Sequence, residues 1–270
     1  MASLAPGRCC SMGALHEGTP NGSSIVIDDH LEAYLAVPPK SIDSQNIGLL
    51  YIPDILGIWQ NSKLMADLFA TQGYTCLVLD IFNGDPAPLE MPEDFDIMDW
   101  LSHGSNGNNP HTPEAIDPII LKGLAHLKYL GLARICAVGY CLGAKVRAIQ
   151  QLPPLKISFS TLAMSNSTPM ASNVASLLIH LLLTPDELAA ISGPLSIAAA
   201  ENDDIFTAEK RHESEGILAK TNHRYQINLF SGVEHGFAVR GDPSVKAERF
   251  AKDQAFLQAA AWFGDYFGTL

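Results

Sequence analysis

The stretch Ala133-Arg134-Ile135-Cys136-Ala137-Val138-Gly139-Tyr140-Cys141-Leu142-Gly143-Ala144-Lys145-Val146 decides the fold. A short apolar, β-branched run enters a turn with glycine at either end, and a helix-compatible segment leaves it. The pattern predicts strand, sharp turn, helix. Gly139-Tyr140-Cys141-Leu142-Gly143 fits the G-x-nucleophile-x-G elbow, with cysteine in place of serine. The spacing has a steric origin, because strand and helix pack closely only if the positions two before and two after the nucleophile are small. Cys141 is thereby placed at the top of a sheet and at a helix N-terminus, where the dipole favours thiolate, the reactive form. Five residues also fit a buried structural cysteine in a strand-to-helix turn, so the rest of the chain must decide.

The chain has 270 residues, 47% apolar and 17% charged, with no long Pro-, Gly- or Ser-rich linker. That composition suits a well-buried globular enzyme and argues against extensive disorder. Residues 1–22 read as an N-terminal arm and residues 23–270 as a single α/β domain. A net charge of −12 speaks against nucleic acid or an anionic membrane as partner. No basic segment precedes an apolar one at the N-terminus, and no apolar run reaches 18 residues. The five cysteines, at 9, 10, 76, 136 and 141, form no metal-ligand pattern, since Cys9 and Cys10 are adjacent and no second pair follows. Cys76 and Cys136 lie in apolar strand-like runs and read as small core residues. The expectation is a soluble, cytoplasmic protein whose free thiol survives in a reducing compartment.

Working outward from the elbow, residues 24–27 and 31–37 read as an antiparallel edge pair around the turn Asp28-Asp29-His30. Residues 47–52 are continuously apolar, as a central strand covered on both faces would be. Helical spacing over 62–72 and a buried strand at 74–79 start a β-α alternation. From Asp80 to Pro113 loop signals dominate, which fits a lid or binding segment and equally a solvated acidic excursion. Thr112-Pro113-Glu114 gives an N-cap with proline at the first helical position, and the helix over 116–130 closes at Gly131. Beyond the elbow come strand 195–200, helix 207–219, strand 225–230 and a terminal helix over 245–267. Such an order predicts a mostly parallel sheet with helices on both faces. Ligands of such sheets bind beyond the carboxyl ends of the strands.

A thiol nucleophile needs a base, and the base needs an orienting group. Strand 195–200 is followed by Glu201-Asn202-Asp203-Asp204, and strand 225–230 by Ser231-Gly232-Val233-Glu234-His235-Gly236. Nucleophile, acid, histidine is the chain order of α/β-hydrolase triads. His235 alone of nine histidines follows a late strand beside a loop-permitting glycine. His16, His30, His103, His111, His126, His180, His212 and His223 read as surface or helix residues without a role. Asp203 is preferred as the acid, with Asp204 also within reach. The oxyanion hole falls to the backbone N–H of Leu142 and one from the loop after strand 47–52, assigned to Ile55.

These segments resemble the dienelactone hydrolase family, particularly its fungal members. The resemblance is carried by Gly-Tyr-Cys-Leu-Gly, by Pro53-Asp54-Ile55-Leu56-Gly57-Ile58-Trp59, by 195–206 and by Gly232-Val233-Glu234-His235-Gly236-Phe237-Ala238-Val239-Arg240-Gly241-Asp242. The Cys9-Cys10 pair followed by His16-Glu17-Gly18-Thr19-Pro20 also resembles the fungal branch. The resemblance covers about four-fifths of the chain. It implies an α/β-hydrolase fold, Cys141, Asp203 and His235 as triad, and no cofactor or metal. It makes Asp54, Trp59, Tyr140 and Arg240 candidates for substrate binding or for tuning the thiol. Bacterial members have Glu at the position of Asp54 and place their arginine one residue nearer the histidine than Arg240. The stretch from about Val146 to Leu183 departs from the family, with Pro153-Pro154, a Ser- and Asn-rich 165–176 and an apolar 177–183. Residues 155–162 are still compatible with the strand after the elbow helix there.

The function implied is hydrolysis of a lactone, activated ester or thioester, a small molecule, through an acyl-enzyme. Two other readings remain open: a biosynthetic hydrolase or cyclase acting on a fungal polyketide-type intermediate, and a catalytically silent small-molecule binder. Monomer and homodimer both fit the sequence.

Overall fold

The computed structural model describes residues 3–145, 174–179 and 184–268. One eight-stranded sheet runs through it: β1 (Ser23–Ile27), β2 (Leu31–Ala36), β3 (Ile47–Ile52), β4 (Tyr74–Leu79), β5 (Arg134–Tyr140), β6 (Val174–Ile179), β7 (Leu195–Asn202) and β8 (Tyr225–Glu234). Spatial order is β1-β2-β4-β3-β5-β6-β7-β8. The first two strands pair antiparallel at one edge, with Ile25 opposite Ala33, and every pairing from β4 to β8 is parallel. The sequence reading of an antiparallel edge pair followed by a parallel sheet holds.

Parallel strands need long crossovers, and helices supply them. The described helices are α1 (Gln60–Thr71), α2 (Ile97–His103), α3 (Pro113–Tyr129), α4 (Pro185–Ala189), α5 (Ala208–Leu218), α6 (Phe237–Arg240) and α7 (Lys246–Phe267). Both faces of the sheet are covered, which is why all six residues of β3 are buried despite its lack of alternation. Ile47, Leu49 and Tyr51 pack with α1 and α7, including Phe69 and Phe263. Leu50 and Ile52 face the other way, onto α3 residues Ile120, Leu124 and Leu127.

Within the expected long loop a short helix forms, α2, because Asp96 caps it by accepting the N–H groups of Met98 and Asp99. Asp85 ties this region together, accepting from Ser105 N at 2.8 Å and lying 3.1 Å from His111 Nε2. His111 is therefore buried, against Trp100 and Phe82, and His16 is buried with Nε2 2.7 Å from the Gly241 carbonyl. Both therefore differ from the surface or helix setting that their local sequence suggests. Their short-range sequence carries no mark of these distant partners.

The candidate strand at 155–162, like the continuation of the elbow helix beyond Lys145, lies outside the described residues. The strand paired with β5 on the side of β7 is β6, at 174–179, drawn from the Ser-containing and apolar stretches. After it, Thr184 opens α4 with a capping box, its hydroxyl accepting from Glu187 N and Glu187 reaching back to Thr184 N.

Candidate active site

Four strand ends converge at the carboxyl edge of the sheet: Asp54 and Ile55 follow β3, Cys141 follows β5, Asp203 follows β7 and His235 follows β8. The elbow forms as its glycines require. A Cβ on Gly139 would collide with the Gly143 backbone, and one on Gly143 with the carbonyls of Ile52 and Pro53. Cys141 itself sits at φ +53°, a left-handed conformation that costs a non-glycine residue energy and is found where the surrounding structure enforces it. The chain then enters a 3-10 turn, Cys141–Lys145.

Asp203 and His235 are both buried and paired, with His235 Nδ1 3.1 Å from Oδ1 and 3.0 Å from Oδ2. The same carboxylate accepts the backbone N–H of Ile205 and of Phe206, each at 2.9 Å. These bonds fix its position, and Nδ1–H donation to it leaves Nε2 facing the thiols. Asp204, the other candidate acid, takes no part in these contacts.

Cys141 has a second thiol for a neighbour. Cys10 is fully buried, its Sγ 3.9 Å from His235 Nε2, and ligand atoms of Cys10, Cys141 and His235 all lie within 4.8 Å of one another. A hydrogen bond from Cys10 pulls the Cys141 thiol well below its ordinary value, against burial, with the His235 charge assisting. As the donor of that bond, Cys10 is pushed well above its ordinary value. Burial pulls His235 down, but the Cys141 charge and the bond to Asp203 outweigh it and raise the imidazole to about 10. Both shifts point the same way, toward a thiolate beside an imidazolium.

Asp54 and Arg240 form a buried ion pair, Nη1 to Oδ2 2.5 Å. Burial pushes the Asp54 carboxyl up and the guanidinium opposes it. The remaining Arg240 donors go to the N-terminal segment, Nε to the Met12 carbonyl at 2.9 Å and Nη2 to that of Cys9 at 3.3 Å. With every nitrogen engaged and 1% of the side chain exposed, Arg240 offers no open face to a substrate carboxylate. Tyr140 packs against Tyr51 with ring centroids 4.8 Å apart, inside the core on the α1 side, so its side chain contributes packing and its backbone the end of β5. Trp59 N-caps α1 and packs between both core clusters, and its Nε1 is buried without an acceptor among the described residues. Ile55 and Leu142 belong to one packed cluster with Cys10 and Cys141.

Sequence reasoning missed the part played by residues 4–16. They run across the site rather than away from it: Leu4 N–H bonds the Ile205 carbonyl, Ala14 N–H that of Arg240, and His16 N–H the Asn61 side chain. Asn61 Nδ2 closes the seam on the Ala14 and Val239 carbonyls. The Cys9-Cys10 pair was the available signal, and adjacency alone could not say what it faced. A cleft of about 390 Å³ opens beside His235, lined by Cys9, Met12, Asn202, Glu234 and Arg240. A smaller apolar hollow of about 180 Å³ is lined by Leu142, Leu101, His111 and Ile116.

The sequence pattern of the dienelactone hydrolase family matches residues 31–267. The chain is 42% identical over 268 residues to hydrolase pyvD of Aspergillus violaceofuscus, covering 98% of this chain and 99% of that one. It is 40% identical over 271 residues to hydrolase tropI of Talaromyces stipitatus, covering 98% of each. Among solved structures, a Klebsiella pneumoniae chain described as a dienelactone hydrolase superposes with a TM-score of 0.63 at 14% identity, covering 91% of this chain and 98% of that one. At that identity the likeness concerns the fold. Among the described residues, no helix is long and apolar enough to cross a membrane.

Proposed function

This chain belongs to the dienelactone hydrolase family, a family of carboxylic-ester hydrolases, and from that premise we propose that it opens lactones, activated esters or thioesters through a Cys141-His235-Asp203 triad and a thioester acyl-enzyme. One observation carries the reading: the Asp203 carboxylate holds His235 Nδ1, and the same imidazole lies within 4.8 Å of a thiol mounted at positive φ.

The Cys141 thiolate attacks the carbonyl carbon, and the carbonyl oxygen takes up the electron pair. That oxyanion is placed on the N–H groups of Leu142 and Ile55, a contribution of order 100- to 1,000-fold for each donor. As the intermediate collapses, the C–O bond breaks and imidazolium gives its proton to the leaving oxygen. Acylation removes the thiolate charge that held this proton, so His235 stays neutral and can act as base. It takes a proton from water, the hydroxide attacks the thioester, the acid departs and thiolate and imidazolium are restored.

Thiolate attack suits good leaving groups, so enol lactones, activated esters and thioesters are preferred over amides. The apolar hollow against Leu142 suits a small apolar substituent. Arg240 and Asp54 act as a positioning pair, their guanidinium charge favouring thiolate at Cys141. Five free cysteines suit a reducing cytoplasm as the working compartment.

Hydrolysis of p-nitrophenyl acetate by the wild-type protein and by Cys141→Ala tests the reading. Turnover that vanishes in the variant supports it. Equal turnover in two well-folded samples, or none in either, would sink it for this ester and favour a silent binder.

A further inference from the structure

Hydrolysis as described needs one thiol and one imidazole, yet the site holds a second sulfur. Cys10, 131 and 225 positions from its two neighbours by residue number, is buried with its Sγ 3.9 Å from His235 Nε2, and the three ligand atoms lie within 4.8 Å of one another. Two sulfurs and one imidazole nitrogen are the donor set of zinc. Bonds of about 2.3 Å to sulfur and about 2.0 Å to nitrogen put tetrahedral ligands roughly 3.6 to 3.8 Å apart. Sub-ångström to ångström side-chain movements close that difference. The outer shell is also present: Asp203 holds His235 Nδ1, which fixes the tautomer and aims the Nε2 lone pair, the carboxylate-histidine arrangement that supports metal-bound imidazoles. Calcium and magnesium prefer oxygen, and none of the three donor atoms is oxygen.

We propose that Cys10 Sγ, Cys141 Sγ and His235 Nε2 form a binding site for one thiophilic divalent cation of the zinc class, which silences the nucleophile for as long as it is bound. The silencing rests on the hydrolase reading; the binding does not. The proton balance is defined. The cation is held by two thiolates and a neutral imidazole, so whatever protons those three atoms carry leave to solvent as it binds. The resulting complex is neutral apart from Asp203, and the Arg240 charge beside it is already balanced by Asp54. The fourth ligand position falls to water from the cleft that His235 and Cys9 line.

Cobalt(II) titration of the full-length protein tests this. One ion per chain is expected, with sulfur-to-cobalt charge-transfer absorption in the near ultraviolet that equimolar zinc displaces. Cys10→Ser should weaken cobalt binding by at least about 100-fold, the upper end for loss of a mere outer-shell partner. Asp203→Asn should weaken it by about 10- to 100-fold. Cys9→Ser should keep the absorption. Zinc should abolish any ester hydrolysis in step with occupancy, and a chelator should restore it. Cobalt bound without sulfur absorption, no cobalt bound, or unchanged affinity in a folded Cys10→Ser would each overturn the proposal. If Cys10→Ser fails to fold, Asp203→Asn decides, unchanged affinity there being the overturning result. The absorption is read without substrate, so a protein inactive on esters still gives an answer.

Discussion

Arg240 and Asp54, 186 positions apart, form an ion pair whose side chains are 1% and 0% exposed. The pair joins α6 to the loop after β3 and, through the Met12 and Cys9 carbonyls, to the N-terminal segment. Three pieces of chain are thus held around one guanidinium. Gly236 and Gly13 pack so close that a Cβ on either would strike Arg240.

Removing one partner leaves a buried charge without compensation. Arg240→Met is expected to cost about 3–5 kcal/mol in urea unfolding, and Asp54→Asn combined with it less than the sum of the single changes. Strict additivity would contradict a direct pair.

The triad assignment predicts how activity falls. Asp203→Asn should keep the fold and lower p-nitrophenyl acetate turnover by about 10,000-fold, because the imidazole loses its tautomer. His235→Ala should leave no more. A loss under about tenfold in Asp203→Asn would point to another acid.

The pH dependence follows from the resting ion pair. Cys141 is held well below the ordinary thiol value and His235 is raised to about 10. Thiolate is therefore present through neutrality, and the imidazolium proton needed for the leaving group is lost as pH rises through about 10. Iodoacetamide should label Cys141 at a rate nearly independent of pH between about 6 and 9, where a free thiol would rise with a midpoint near 8.5. The measurement belongs in a Cys9→Ser background, since the half-buried Cys9, hydrogen-bonded to Cys10, titrates at about 7.

Two glycines should respond in opposite directions to alanine. At Gly143 the new methyl meets the backbone of Ile52 and Pro53 and pushes on the loop that carries Ile55, so both stability and turnover should fall, stability by about 1–3 kcal/mol. At Gly216, inside α5 with nothing within 4 Å, alanine should stabilise by about 0.5–1 kcal/mol and leave turnover unchanged. Thermal melts and initial rates read both.

A variant that begins at His16 loses Cys10 and the carbonyls that hold Arg240. Turnover and melting temperature should both fall. A fully active truncated chain would show that the segment only covers the site.

Sequence alone determined the sheet apart from β6, and the edge at which the candidate residues gather. Continuous apolar runs at 47–52 and 74–79 have one stable use, as strands buried on both faces, and Gly139 and Gly143 permit one kind of turn around Cys141. His235 was legible because a parallel sheet puts whatever follows a strand at the same edge. Tertiary structure decided what those rules do not reach. Period and spacing describe neighbours within a turn or a strand, whereas the Arg240-Asp54 pair, the burial of His111 and His16 and the approach of Cys10 to Cys141 are made by side chains meeting across long stretches of chain. Their cost and their charge are set by removal from water, a property of the packed molecule and of no segment within it.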